Sequence, residues 1–282
     1  MTAHAASTWQ PRYIRQFIQH FTTGAGVILV ETDQGRGYAK VLGNPAGPHA
    51  LAREWVCTAL ARWLGLPTFE YAMINVLPAN ELPLANGKMA QPGPAFITRA
   101  EDGTIWGGTE DDLRKLDNPE AITLLVLCDT WLRNRDRWPG LDPGKPNRDN
   151  VYFSVEGAAP HCFMLKAMDF SHCLDRGDLT LRLARIDSVK DDEVYGLFPE
   201  FQLYLNQAVM REGIDRLATL SRTFVREIIA EIPREWEVDD STRDAMLRLI
   251  CERAEFIKNT ICEHLWPQTE IAFPEDRQGD QS

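Results

Sequence analysis

The chain has 282 residues, of which 44% are hydrophobic and 25% are charged, and this composition excludes a wholly disordered protein. Its formal net charge of -11 argues against nucleic acid as the main partner, because the average surface repels polyanions. No stretch resembles a secretory signal, and the strongest apolar run, residues 122–128, is too short to cross a bilayer. We therefore expect a cytoplasmic protein without a membrane partner, whose six cysteines are buried free thiols.

The first hundred residues carry mostly strand patterns. Residues 11–21 are one exception, because apolar side chains three and four positions apart predict a short amphipathic helix. Pro48 suits the first turn of a second helix, which runs to Leu64 and is ended by Gly65. Short apolar runs bounded by turn residues predict β-strands at 27–30, 38–42, 69–77 and 95–99.

From about residue 109 the apolar spacing becomes helical. Residues 118–120 are typical of a helix start, and the apolar helix that follows reaches Leu132. The remaining predicted elements are strands at 151–153 and 162–167 and helical stretches at 198–209, 213–230 and 241–265. The expected fold class is α+β, with a small β-rich N-lobe at residues 1–108 and a larger helical C-lobe at residues 109–282 around a shared cleft.

A polar motif, Asn134-Arg135-Asp136-Arg137, ends the apolar helix of the second half. Asn150 precedes the next strand, and Asp169 follows the strand after it. Phosphoryl transfer to a hydroxyl needs such a set, because one carboxylate must orient or deprotonate the hydroxyl while two oxygen ligands hold Mg²⁺ against the nucleotide phosphates. Asp136 would be the base, with its arginine neighbours favouring the ionised carboxylate. In the alternative interpretation Asp136 pairs with one of those arginines in a solvated turn, and Asn150 caps a loop.

Two charged residues of the first half could complete this site. Lys40 interrupts an otherwise apolar strand, and Glu54 lies in the first two turns of the following helix. In kinase-like sites a strand lysine contacts the α- and β-phosphates and is held by a helix glutamate. Alternatively, Lys40 points to water from an edge strand and Glu54 forms contacts four residues apart on a wet helix face.

The segments around these residues resemble HipA-like kinase domains over roughly residues 24–265. In the first half they are Tyr38-Ala39-Lys40, Asn44-Pro45-Ala46-Gly47-Pro48, Arg53-Glu54 and Leu64-Gly65-Leu66-Pro67. In the second half they are Asn134-Arg135-Asp136-Arg137, Asn150-Val151-Tyr152-Phe153, Met168-Asp169-Phe170-Ser171-His172 and Ile232-Pro233-Arg234-Glu235-Trp236.

The resemblance implies a two-lobed protein-kinase-like fold with ATP and Mg²⁺ as cofactors. The Asn-x-Asp-Arg element, residues 134–137, would supply the catalytic Asp136, and Lys40, held by Glu54, would bind phosphate. Asn150 and Asp169 would hold Mg²⁺. The implied catalytic and cofactor-binding residues are Lys40, Glu54, Asn134, Asp136, Arg137, Asn150 and Asp169. The implied acceptor is a protein serine or threonine, and the enzyme would be a toxin or signalling kinase with a possible antitoxin or regulatory partner.

The chain departs from protein kinases in three places. Fourteen positions separate Asp136 from Asn150, where protein kinases keep about five, so Asn147 is a rival metal ligand. Ser171 stands where eukaryotic-type kinases have glycine. No complete glycine-rich loop exists: residues 22–26 hold only a two-glycine cluster, and residues 43–47 could cap the phosphates instead.

Other functions find less support in the sequence. His161 and His172 lack a third spaced partner for a transition metal, and no Gly-x-Ser-x-Gly element indicates a hydrolase. Most of the eight tryptophans lie on apolar helix faces, where they are expected in the core. Two alternatives remain: a small-molecule or lipid-type kinase, because the same residues serve those acceptors, and a catalytically silent nucleotide-binding adaptor.

Overall fold

An antiparallel sheet of five strands forms most of the N-terminal part. The structure, a computed structural model, describes residues 8–21, 26–139, 146–175 and 177–267. The strand order is β1-β2-β3-β5-β4. The strands are β1 (Ile14–His20), β2 (Ile28–Thr32), β3 (Gly35–Leu42), β4 (Tyr71–Val76) and β5 (Gln91–Arg99). The four strands predicted from the sequence in this part are confirmed as β2 to β5.

The helix predicted for residues 11–21 is wrong, because this segment is strand β1, paired antiparallel with β2. The pairing register shifts twice within β1, between Ile14 and Gln16 and between Phe17 and Gln19. A bulge adds a residue to one strand and breaks the strict alternation of side chains. Ile14 and Phe17, three apart, therefore both reach the same small core cluster, and a doubly bulged strand imitates helical spacing.

Helix α1 (Pro48–Leu64) lies between the five-stranded sheet and the helical part of the chain. Pro48 occupies the first turn, and Gly65 ends the helix with a left-handed φ of 95°, as the sequence predicts. Twelve of the helix residues are buried, which an element covered on both sides requires.

A second, three-stranded sheet begins directly after β5. It consists of β6 (Gly103–Ile105), β7 (Val151–Ser154) and β8 (Met164–Ala167), all antiparallel. Strands β7 and β8 confirm the sequence prediction, whereas β6 carries too short a pattern to be predicted. The chain passes from the first sheet to the second between Arg99 and Gly103.

Helices dominate the rest of the chain. They are α2 (Glu110–Leu113), α3 (Ala121–Leu132), α4 (Ile186–Val189), α5 (Gln207–Ala218), α6 (Arg222–Ala230) and α7 (Asp240–Leu265). The predicted helices at 118–132 and 241–265 are confirmed. The stretch predicted at 213–230 is two helices, because the Ser221 hydroxyl accepts a hydrogen bond from the Thr223 amide at 3.2 Å and starts α6 anew.

The main hydrophobic core joins α1, α3 and α7 with the second sheet, and a smaller cluster lies within the first sheet. Trp131 and Trp236 are fully buried in the main core, as expected for these aromatic side chains. All six cysteines are free, but only Cys57, Cys128 and Cys173 are buried, so the expected burial holds for half of them. Within the described ranges no helix combines the length and the apolar character needed to span a membrane.

Candidate functional site

A cavity of about 430 Å³ lies where the first sheet and α1 meet the second sheet. Its walls are largely apolar and aromatic and include Tyr38, Phe96 and Tyr152. One end of the cavity carries the polar side chains of Lys40, Glu54, Asn150 and Asp169. A mostly apolar pocket with a few convergent polar groups is the usual form of a small-molecule site.

Lys40 of β3 is the central cation at the polar end. Its ammonium group is buried and contacts the carboxylates of Glu54, on α1, and of Asp169, where the Nζ to Oδ1 distance is 2.8 Å. The turn at residues 43–47 leads β3 directly into α1, which brings Glu54 back alongside the strand. The alternative in which Lys40 points to water from an edge strand is therefore wrong, since β3 is a central strand.

The pKa values of these three side chains are shifted in different directions from their usual values. Burial alone would lower the pKa of Lys40, but attraction to Asp169 and Glu54 raises it above its usual value. Burial would raise the pKa of Asp169, yet Lys40 and the Ser171 hydroxyl hold it well below its usual range. For Glu54 burial outweighs the attraction to Lys40 and raises the pKa to about 7. Of the three groups, Glu54 is the one whose pKa lies nearest to neutral pH.

Asp169 is held in an unusual backbone conformation just after β8. Its φ is 58°, in the left-handed region that a residue other than glycine adopts only at a cost. The Ser171 hydroxyl donates to Asp169 Oδ1 at 2.5 Å, and the Ser171 amide approaches the same atom at 3.3 Å. Ser171, the departure from the glycine of eukaryotic-type kinases, therefore fixes the carboxylate that lines the cavity.

Asp136 lies in a turn beyond the end of α3, and two amides hold its carboxylate. Asn150 Nδ2 donates to Asp136 Oδ2 at 2.7 Å, and Asn147 Nδ2 donates to the same oxygen at 2.9 Å. The backbone N–H of Asn147 donates to the Arg137 carbonyl at 2.9 Å, which closes the long insertion at its base. Residues 140–145 of the insertion lie outside the described residues.

The expectation that arginine neighbours stabilise the Asp136 carboxylate is wrong. Arg135 donates to Asp191 Oδ2 at 3.0 Å, and Arg137 donates to Asp129 Oδ1 at 2.6 Å. The alternative in which Asp136 pairs with one of these arginines fails for the same reason. Adjacent side chains in a tight turn point in different directions, so nearness in sequence did not predict the ion pairs here.

Asn134 and Arg137 are fully buried and do not line the cavity. The Asn134 side chain donates to Asp129 Oδ1 at 3.1 Å and accepts a hydrogen bond of 3.4 Å from the Asp136 amide. Arg137 donates to the carbonyls of Asn150 at 3.1 Å and of Met168 at 2.5 Å. These two predicted site residues thus support the loops that carry Asp136, Asn150 and Asp169.

Asp129 was missed as a site-related residue by sequence reasoning. It is a fully buried acid in the otherwise apolar helix α3, and burial raises its pKa to about 6 although Arg137 and Asn134 oppose this. A charged residue within an apolar helix was the available signal, because such a residue needs a buried partner. The sequence alone does not identify Arg137 as that partner.

The donor atoms of the site fit a nucleotide and a hard divalent cation. Asp169 offers a carboxylate and Asn150 an amide oxygen, since the Asn150 nitrogen is committed to Asp136. Among the residues described by the structure no group of three or more His, Cys, Asp or Glu side chains could hold a metal. A cation would therefore need further oxygens from phosphate or water, as Mg²⁺ bound with nucleotides does.

Of the two glycine segments, only residues 43–47 are described in full. Residues 22–25 of the first cluster lie outside the described residues. In the second segment the Asn44 side chain donates to the carbonyls of Val41 at 2.6 Å and Gly47 at 3.3 Å, which closes residues 43–47 into a tight turn.

Comparison with known proteins gives one family and a related fold. A family model described as HipA-like kinase matches residues 14–157, just over half of the chain. The crystal structure of a Helicobacter pylori proinflammatory kinase, CtkA, aligns with a TM-score of 0.58 and 12% sequence identity, covering 93% of this chain and 100% of that one. At this identity the likeness shows a shared fold, a β-sheet N-terminal part followed by a helical part. A search of curated proteins found no match.

Proposed function

The chain belongs to the family of HipA-like kinases, and from that premise we propose that it is an ATP- and Mg²⁺-dependent phosphotransferase acting on a hydroxyl group. The observation that supports this proposal is the convergence of Lys40, Asn150 and Asp169 at one cavity. Asp136 does not line the cavity but is hydrogen-bonded to Asn150, which does. Lys40 and Asp169 are 129 positions apart in sequence, yet their side chains are in contact. Such convergence of distant polar residues on an apolar cavity supports a site built for a ligand.

The apolar part of the cavity would bind the nucleoside. Its volume of about 430 Å³ lies within the range of small-molecule sites, roughly 300 to 1,000 Å³. Tyr38 of β3 and Tyr152 of β7 come from the two different sheets and offer aromatic surface for a planar base. The bound nucleotide would thereby bridge the two halves of the proposed kinase, residues 1–108 and 109–282.

The polar end would bind the phosphates and their metal. Lys40 would donate to phosphate oxygens while Glu54, buried beside it, keeps the ammonium group in place. Asp169 and the Asn150 oxygen would be the metal ligands, and Asn150 is favoured over Asn147 because it is the one that lines the cavity. When bound, Mg²⁺ would neutralise charge on the phosphates.

Asp136 would orient the acceptor hydroxyl and accept its proton. Its Oδ2 takes two amide hydrogen bonds, and within the described residues no hydrogen bond engages Oδ1. A carboxylate held through one oxygen presents the other in a defined direction, as a general base requires. Since Asn150 would share its amide between Asp136 and the metal site, the base and the metal are positioned by one side chain.

The acceptor is proposed from the family to be a protein serine or threonine, in a cytoplasmic enzyme with a possible antitoxin or other regulatory partner. The test is incubation of the purified full chain with labelled ATP, with Mg²⁺ or with EDTA, followed by mass spectrometry of protein and small-molecule fractions. Label on serine or threonine supports this acceptor, and label on a metabolite or lipid supports the alternative kinase. Mg²⁺-dependent ATP binding without transfer would support the adaptor, and absence of ATP binding would overturn the proposed function.

A further inference from the structure

A fully buried ion pair lies behind the cavity, outside the set of groups that would contact the nucleotide. Asp129 of α3 and Arg137 of the following turn have side chains with no solvent exposure, and Arg137 Nη1 lies 2.6 Å from Asp129 Oδ1. Neither residue lines the cavity. The pair can therefore affect the site only through the chain segments to which it is hydrogen-bonded.

Arg137 joins the two chain segments that carry the proposed metal ligands. Its Nε donates to the carbonyl of Asn150 at 3.1 Å, and its Nη2 donates to the carbonyl of Met168, directly before Asp169, at 2.5 Å. The guanidinium carbon also lies 5.3 Å from the centre of the Phe170 ring. Because a guanidinium group is planar and rigid, these bonds fix the separation of the two segments.

Asp129 sets the direction of this guanidinium group and extends the network to the base. Its Oδ1 accepts from both Arg137 and the Asn134 amide, and Asn134 in turn accepts from the Asp136 backbone amide. The backbone amide of Asn134 bonds to the Asp129 carbonyl at 2.8 Å as well. One carboxylate thus controls the segments of Asp136, Asn150 and Asp169.

Stability alone is a poor explanation for such a pair. Buried ion pairs can often be replaced by apolar side chains without loss of stability, because desolvation offsets their attraction. Asp129 also carries an oxygen, Oδ2, that no hydrogen bond engages within the described residues, and the backbone of Gly196 packs against it. The feature that an apolar replacement could not supply is the three-way connection through Arg137.

We propose that Asp129 is a positioning residue: by orienting Arg137 it sets the distance between Asn150 and Asp169 and so tunes the affinity for the metal–nucleotide complex. This inference rests on the proposed function. Groups that orient metal ligands typically change metal affinity or activity by about 10- to 100-fold when they are removed. We expect an effect of that size on the Mg²⁺ requirement.

The test uses the full chain and measures the Mg²⁺ concentration that gives half-maximal ATP binding, by calorimetry, so that no acceptor is needed. Asp129→Asn keeps the shape of the side chain and removes its charge, and should raise this concentration by about 10-fold or more. Arg137→Lys keeps the charge but loses the planar group that donates to three acceptors, and it should raise this Mg²⁺ concentration by a similar factor. Thermal unfolding is recorded for each variant.

Arg243→Met is the matched control. Arg243 also bridges backbone carbonyls, those of Val238, Ile229 and Ile232, but does so in the helical part, away from the cavity. It should lower the unfolding temperature without changing the Mg²⁺ requirement. If the site variants behave like this control, or if neither of them folds, Asp129 is a stability determinant and the inference is overturned. Failure of the unmodified chain to bind ATP with Mg²⁺ would instead overturn the proposed function.

Discussion

Two ionic clusters lie on either side of the same loops, and they are built differently. At the cavity, the single cation Lys40 faces two carboxylates, Glu54 and Asp169. Behind the loops, Arg137 faces one carboxylate, Asp129, and its other N–H groups donate hydrogen bonds to backbone carbonyls. The first cluster has an excess of negative charge and borders the cavity, whereas the second has matched charges and is sealed from solvent.

This difference separates a cluster that can change partners from one that cannot. Lys40 could turn from Asp169 to a phosphate while it keeps Glu54, and Asp169 would then be available to a cation. Arg137 has no comparable choice, because carbonyls of folded segments occupy its donors and no solvent reaches it. The two clusters should therefore respond differently to mutation. Changes in the first should alter ligand binding and catalysis directly, and changes in the second should alter the loop geometry on which binding and catalysis depend.

The largest effect is expected for Asp169→Asn, which removes the proposed carboxylate ligand. Mg²⁺-dependent ATP binding and turnover should fall to background, while the protein stays folded because Lys40 retains Glu54. Calorimetry with and without Mg²⁺, together with thermal unfolding, measures both outcomes. Unchanged activity would show that Asp169 belongs to a structural pair like that of Asp129 and would remove the contrast between the clusters.

Asp136→Asn should damage the chemical step selectively. Asn147 and Asn150 hold this side chain by hydrogen bonds to its Oδ2, and the amide variant keeps its shape but cannot accept a proton. Phosphoryl transfer should decrease by about 10²- to 10⁴-fold with ATP affinity nearly intact. Both quantities are measured on the same preparation. Joint loss of binding and transfer would make Asp136 a metal ligand or a structural residue, and loss of neither would favour the adaptor.

The Lys40 cluster can be tested with a double-mutant cycle. Lys40→Ala leaves Glu54 and Asp169 facing each other, and losing one partner of a buried pair costs about 3–5 kcal/mol of stability. Glu54→Ala leaves the Lys40–Asp169 pair in place and should cost less stability. Both variants should nevertheless weaken catalysis by similar factors, because each disables the same proposed phosphate contact, Lys40 held by Glu54. The effects of the two changes should therefore be far from additive in the double variant. Additive losses in kcat/KM would mean that the residues act independently.

The same contrast explains what the sequence could and could not predict. Helix α1 and strands β2 and β3 carry strong local signals, namely Pro48, Gly65 and the turn at residues 33–37, so their existence was predictable. Strand β1 was not, because its two bulges give apolar side chains the spacing of a helix. Local patterns report on a segment and its immediate ends, not on the register of a neighbouring strand.

The partners within the site depend on distant contacts. A strand lysine and a helix glutamate recur in kinase-like sites, so the sequence predicts that Lys40 pairs with Glu54. It does not predict Asp169 as a second partner of Lys40. Asp129 and Arg137 are eight positions apart, whereas the sequence places Asp136 directly beside Arg137. The chain leaves α3 through a left-handed residue, Arg133, which redirects the turn, and nothing in the motif itself signals this reversal.

The smallest expected effect concerns pH, and it distinguishes the members of the cavity cluster. Burial raises the pKa of Glu54 from 4.5 to about 7, so between these values the folded protein binds a proton that the unfolded chain has lost. The free energy of unfolding should therefore decrease as the pH rises through this window, by at most about 3 kcal/mol. Asp169 has the opposite effect in a different pH range. Because its pKa is lowered, its carboxylate stabilises the folded protein at pH values above 3.8, its usual pKa, and this stabilisation is lost at more acidic pH.

Glu54→Gln imitates the protonated side chain and isolates this contribution. The variant should match the unmodified protein in stability near pH 5 and exceed it near pH 8, with a flatter profile between. Urea unfolding at several pH values measures the difference, and Asp111→Asn, in an exposed pair with Arg114, serves as the control that leaves the slope unchanged. If the free energy of unfolding of Glu54→Gln still decreases as the pH rises, the titrating group is not Glu54. Glu54 would then be a fully charged partner of Lys40, and the cavity cluster would hold its cation as firmly as Asp129 holds Arg137.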